Sequence, residues 1–356
     1  MLSKWETVFL IIMTLPIMGH VVILPLLIDI AGRDAWISIL ISLPFGIIFA
    51  YAIFRIRQNH PDGNALEVLS NLLGKWFSKL LVFILIVYFL FLTILSYASL
   101  VDVVYIDFLP ETPRLALSLW FLFFFVYAAL KGIKRIALTA GILAIIGLIT
   151  GHTITLLDSP KKDWGELLPI LEFGWVPIIL GSLILISIWV ELLFLLCIPI
   201  RNIKEKRLFL LWCVGVFLNV LMMASTTTGV ITIFGLGQAD NFNYPAQEIV
   251  RTINLGFIDR FDIYGMILMT FGVYIRCSLY LRIAYELTLT PKTSKWIKRA
   301  TFFFFIFICF LGAFYISRSH LRLEKIIDIY IYSFVLFPIP IFLLFISWTK
   351  KRKKKK

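Results

Sequence analysis

WETVFLIIMTLPIMGHVVILPLLI, residues 5–28, decides how the rest of the chain is read. A bilayer core is crossed by about 20 predominantly apolar residues of helix. This run is long enough to cross, too long for a signal-peptide core, and has no small-residue cleavage site. It is expected to be a first, uncleaved membrane helix. Nine further segments of the same kind follow, at about 35–55, 78–101, 114–131, 135–157, 175–200, 207–234, 262–285, 296–317 and 326–348. Lipid offers no partners to backbone N–H and C=O groups, so helix is the default for all ten.

Composition agrees. Of 356 residues, 60% are apolar, 15% are charged and 33 are Phe. Mean hydropathy is +0.94. Soluble domains run at about 45–50% apolar and 25% charged. A globule in water would have to expose this excess, which excludes a soluble enzyme, a nucleic-acid-binding protein and a disordered chain. The fold class expected is an all-α membrane protein with one ten-helix domain over 1–349 and a polybasic tail at 350–356. No soluble domain is expected, so the chain acts in or across the membrane, or through partners.

Lys plus Arg is 34 and Asp plus Glu is 21, giving +13. Seven of the cations form the run Lys350 to Lys356. A basic run straight after an apolar helix reads as a cytoplasmic anchor on anionic lipid rather than a nucleic-acid site. With the N-terminus inside, 23 of the cations fall on the inner side and 9 on the outer, so both termini are expected in the cytoplasm. The one outer loop that breaks the pattern runs from Arg318 to Lys325. Cys197, Cys213, Cys277 and Cys309 lie in apolar segments without a CxxC pair and read as packed thiols. His60 to Lys79 reads as an amphipathic inner connector with Leu66, Leu69, Leu72 and Leu73 on one face. The outer stretch Gly235 to Phe261 reads as the longest loop.

Ten helices divide as five plus five, at about 5–158 and 175–348. Odd halves are topologically inverted, the LeuT-like plan of many secondary transporters that bind substrate at midplane. The first segment carries Leu15-Pro16-Ile17-Met18-Gly19-His20. Proline lacks the N–H and glycine lacks side-chain constraint, so a break is favoured there. Its freed backbone groups could hold the carboxylate and amine of an amino acid, with His20 adding polarity. The alternative is a kinked packing helix with Gly19 at a close contact. In the sixth segment, Ser187 and Glu191 share a face four residues apart. A membrane-buried Glu faces a cavity or a partner. It is either a proton- or ligand-linked group or half of a pair with Arg276, which lies too deep in the eighth segment to snorkel. The sixth segment has no central Gly or Pro. Tyr97 in the third helix could line a pocket, and Asp102, near that helix's outer end, could simply be solvated. In the seventh, Thr226, Thr227 and Thr228 either line a wet path with Arg276 or bond back to their own helix. His152 reads as structural. No phosphate loop, zinc spacing or nucleophile elbow is present, so neither an enzyme nor a metal or cofactor site is expected.

Two stretches then narrow the reading. One is Leu109-Pro110-Glu111-Thr112-Pro113 after the third helix. The other is Tyr244-Pro245-Ala246-Gln247-Glu248, continuing through Arg251, Gly256, Arg260 and Asp262. With length and helix number they resemble the permease-type (B) subunit of bacterial endospore germinant receptors, within the amino acid–polyamine–organocation transporter superfamily. The resemblance implies the five-plus-five fold, a spore inner membrane location, and work with a larger A subunit and a lipoprotein C subunit. It implies recognition of a small germinant, often an amino acid, that triggers germination. The implied pocket uses Gly19 and His20 with Tyr97, Ser187, Glu191 and Tyr274. A ligand sensor, a proton-coupled amino acid transporter working through Glu191, and an ion path along Thr226 to Thr228 are the competing functions.

Overall fold

The computed structural model describes residues 1–61, 65–254, 256, 260–290 and 293–353. Ser3 opens the first helix with a reciprocal capping box: its Oγ accepts from the Glu6 N–H at 3.3 Å, and Glu6 Oε2 accepts from the Ser3 N–H at 2.7 Å. Helix α1 runs Lys4–Thr14 and ends two residues before Pro16, which has no N–H to continue the ladder. A π-helical turn, Ile17–Val22, follows, closed by the Ile23 N–H on the Met18 carbonyl at 2.8 Å. Helix α2, Leu24–Ala31, completes the first span. The break at Pro16 to Gly19 is thus a change from α to π winding rather than an open loop.

The chain continues through α3 (Ala35–Asn59), α4 (Ala65–Leu73), α5 (Lys75–Val103), a π turn at Val104–Phe108, α6 (Arg114–Lys131) and α7 (Ile133–Asp158). Gly132 alone joins α6 to α7, at φ +88°, a conformation that favours glycine. Then come α8 (Trp175–Val190), a 3-10 turn at Glu191–Leu193, α9 (Phe194–Cys197) and α10 (Lys206–Phe234). They are followed by α11 (Leu236–Ala239), α12 (Pro245–Arg251), α13 (Asp262–Thr288), α14 (Lys295–Ile316), α15 (His320–Ile331) and α16 (Pro338–Lys353). Among the described residues, ten helices are long and apolar enough to cross a membrane. The one strand-like pairing there is an isolated bridge between Leu2 and Ile200.

The segments read from the sequence match these helices to within a few residues, with three differences. The sixth span is wound tighter at Glu191–Leu193 although it has no glycine or proline there. The tenth begins earlier, at His320, and is divided by a 3-10 turn before Pro338. The stretch after Gly235 holds α11 and α12; Pro245 starts α12 because its fixed φ suits a first helical position.

Large apolar side chains that a soluble protein would bury stand on the periphery: Trp120, Phe123, Phe303 and Phe307 are all more than half exposed. A bilayer, not water, suits such a belt. Inside, α5 packs along α13, α3 packs on α8 and α10, and α1 packs on α7 and α10. Helix α4 buries Val68, Leu69 and Leu72 against α5 and α16, with Leu66 and Leu73 partly covered. The four cysteines are free thiols, Cys277 and Cys309 fully buried. Lys350 donates to the Asn71 carbonyl at 2.9 Å. The side chains of the rest of the basic tail, and Lys292 of the inner charge pattern, lie outside the described residues.

Candidate functional site

The end of α1 leaves carbonyls without partners in their own helix. Arg276 of α13 takes one of them, donating from Nη1 to the Thr14 carbonyl at 2.7 Å. Its Nε donates to Ser96 Oγ of α5 at 2.5 Å, its Nη2 to Glu191 Oε1 at 2.6 Å, and its Nη1 also to Glu191 Oε2. Glu191 accepts two more bonds, from Tyr280 Oη at 2.9 Å and Tyr330 Oη at 2.6 Å. Both charged side chains are 0% exposed. Five spans therefore meet at one bidentate ion pair in which each charge is surrounded by opposite dipoles. Removing either partner would strand the other inside the membrane.

The expected pocket residues do not gather into one space. Glu191 and Arg276 satisfy each other. Ser187 Oγ donates to the Ile331 carbonyl at 2.5 Å. Tyr97 is fully buried; its hydroxyl donates to the Ser118 carbonyl and its ring meets Phe125 edge-on at 4.9 Å. Tyr274 is half-buried against the core of α13. At Gly19 an added Cβ would stand 2.0 Å from Met223 Sδ and 3.3 Å from Ile188 Cδ1, so α10 and α8 close on the break where a side chain would have been. The hydroxyls of Thr226, Thr227 and Thr228 donate to the carbonyls of Met222, Met223 and Ala224 at 3.0, 2.9 and 2.8 Å.

A cavity lies on another side of the break. It has a volume of about 390 Å³ and lies between the first span, α7, α10 and α13, under α12. His20 and Thr226 line it; Gly19, Tyr97, Ser187, Glu191, Tyr274 and Arg276 do not. Its walls are mostly apolar, with Leu148, Leu221, Met222 and Leu268 among them. Thr155 and Ser225 meet across it at 3.3 Å, joining α7 to α10. Three of its lining residues each hold a buried polar atom with no hydrogen-bond partner among the described residues: His20 Nδ1, Gln247 Oε1 and Asp158 Oδ2. Gln247 and Asp158 are 3% and 1% exposed. A buried polar atom without a partner is costly, and three residues with such atoms in the wall of one cavity mark a place for a polar guest or water. Lys162 and His152 also line it.

The sequence reading passed over Asp158 because it precedes Lys161 and Lys162 and looks like an ordinary solvated helix end. Gln247 sits inside the quoted Tyr244 to Glu248 stretch, so that stretch was the available signal. Asp102 is not solvated: it is 0% exposed and accepts from Tyr244 Oη at 2.8 Å. Burial and the neighbouring Asp102 charge push the Tyr244 phenol well above its usual range, so it remains a donor. Arg251, at the other end of α12, donates to the Asp107 carbonyl at 2.9 Å and lies 3.4 Å from Asp107 Oδ1. The turn after α5 and the loop before α13, far apart in sequence, are thus joined.

The family described as spore germination protein matches residues 1–321. Spore germination protein XB of Bacillus anthracis is 28% identical over 365 residues, covering all of both chains. Spore germination protein KB of Bacillus subtilis (strain 168) is 24% identical over 340 residues, 92% of this chain and 90% of the relative. YndE of the same organism, also a spore germination protein, is 27% identical over 148 residues, 42% of this chain and 41% of its own. The helices, the family match over residues 1–321 and the two near full-length likenesses lead to one assignment: the chain is a multi-pass membrane protein of the spore germination protein family, permease-like in build.

Proposed function

We propose that this chain is the membrane subunit of a germinant receptor, and that a small nutrient, an amino acid in our reading, binds in the cavity under α12. The observation that carries this reading is that three residues lining one mostly apolar cavity, His20, Gln247 and Asp158, each hold a buried polar atom with no partner among the described residues. Gln247 Oε1 and an Asp158 carboxyl oxygen can accept, so a guest that donates, such as an ammonium group, would complete them once these side chains turn towards it. The apolar wall suits the remainder of a small aliphatic molecule. Binding triggers germination by favouring one conformation over another, with A and C subunits as partners. The chain lies in the spore inner membrane with both termini in the cytoplasm and its basic tail on anionic lipid. Its two halves, about 5–158 and 175–348, form an inverted repeat; in support, the first and sixth spans both depart from α winding, the first near its middle and the sixth towards its end.

In this reading Glu191 and Arg276 hold the spans together while the ligand sits beside them. Gly19, Tyr97, Ser187 and Tyr274 shape the scaffold around the break, and His20 and Thr226 face the guest. A carboxylate held by Arg276 and two tyrosines is a poor proton carrier, which favours a sensor over a proton-coupled transporter. The test is made in spores carrying Gln247→Leu or Asp158→Asn. At equal protein levels, the nutrient concentration for half-maximal germination should rise about tenfold or more, as expected for a lost hydrogen bond to a charged group. Unchanged dose–response curves would reject the cavity. Robust labelled amino-acid uptake into proton-loaded vesicles would favour the transporter.

A further inference from the structure

Two clamps hold α12 over the cavity, and both close on the end of α5. At one end Tyr244 donates to Asp102 Oδ2. At the other, Arg251 bonds the Asp107 carbonyl in the π turn Val104–Phe108. Between these clamps Gln247 and Val250 face the cavity. Asp102 serves a second element as well. His320 Nδ1, at the first residue of α15, lies 2.7 Å from the same Oδ2. The rings of Tyr244 and His320 meet edge to face, with centroids 5.5 Å apart. Among the described residues Asp102 Oδ1 has no hydrogen bond, and Arg114 stands 3.8 Å from it. Further along, α15 delivers Tyr330 to Glu191.

One buried carboxylate oxygen therefore seats both the roof of the cavity and the head of the last span. Each donor offsets part of the cost of burying that charge, so each makes the other's seat more favourable. We propose that Asp102 couples closure of α12 over the cavity to seating of α15: the roof opens more readily when His320 leaves, and α15 unseats more readily when the roof lifts. Coupling of this kind is reciprocal. The π turn between the clamps is the element that can rewind. The coupling belongs to the protein's own conformations and does not depend on what fills the cavity, so its failure would leave the germinant reading standing.

The test uses the full chain in detergent micelles, with Cys197 and Cys213 changed to serine and Val250→Cys as a reporter on the inner face of α12, where the side chain is 6% exposed. The rate of its reaction with a polar maleimide reads roof opening. Tyr244→Phe removes only the hydroxyl. His320→Phe keeps the ring against Tyr244 and removes the nitrogen. Each should raise the rate about three- to tenfold, the size expected for one lost hydrogen bond, although His320 does not line the cavity. The double variant should fall short of the product of the two. Arg322→Ala, on the same helix but resting on the Tyr315 ring at 4.5 Å, should leave the rate unchanged. A rate unchanged in His320→Phe, or a double variant equal to the product, would overturn the coupling. Asp102→Asn, which keeps the shape and one acceptor, should raise the rate too. Size-exclusion profiles confirm that the compared variants are folded, and the Tyr244 and His320 pair decides alone if Asp102→Asn is not.

Discussion

Glu191→Gln should strand the Arg276 guanidinium in the middle of the bundle. In the native protein the carboxylate accepts two bonds from Arg276 and one each from Tyr280 and Tyr330. The amide offers one acceptor oxygen and turns an NH2 towards donors. Breaking a buried pair by removing one partner costs about 3–5 kcal/mol, because the surviving charge stays desolvated. Replacing both partners by neutral groups of similar volume is far milder. Glu191→Gln and Arg276→Met should therefore each destabilise strongly, while the double variant should be more stable than either. The assay is reversible unfolding in mixed micelles with increasing sodium dodecyl sulfate, read as a four-member cycle. A Glu191→Gln loss under about 1 kcal/mol, or a double variant that loses the sum of the singles, would refute the view that these charges exist to satisfy each other.

Other consequences are equally concrete. Gly19→Ala places a methyl on Met223 and should destabilise by about 1–3 kcal/mol in the same unfolding assay, with Met223→Ala restoring part of the loss. Thr227→Val should cost little, about 1 kcal/mol at most, because that hydroxyl only bonds back to Met223; a large loss of germination at normal protein levels would show a role beyond the helix. Lys134→Ala removes the ammonium held 2.5 and 2.7 Å from the two Glu6 oxygens. It should loosen the start of α1, seen as faster hydrogen exchange over residues 4–10, and no change there would show that the Lys134–Glu6 pair does not hold that end of the helix.

The ten spans were legible because a bilayer imposes one requirement on all of them, length and apolarity. The pairing of Glu191 with Arg276 was legible as one of two readings of that carboxylate, because a charge that deep must face either a partner or a cavity. The location of the cavity was not legible. Gly19 marks a break, but a break can open a chamber or admit a neighbour, and here Met223 fills the space. Nothing in the linear order says which face of the first span remains empty. Asp102, Tyr244 and His320 come from three distant stretches, and only tertiary packing brings them to one oxygen. Pro16 told that the helix would stop; it could not tell that the carbonyl of Thr14 would turn to an arginine in the eighth span.

Entry of a nutrient into the space under α12 is measured directly by protection of a reporter cysteine. A nutrient that germinates spores dependent on this chain should slow maleimide labelling of Val250→Cys in the purified protein, with half-protection tracking half-maximal germination across a set of active and inactive analogues. A labelling rate that stays the same at saturating nutrient would contradict it.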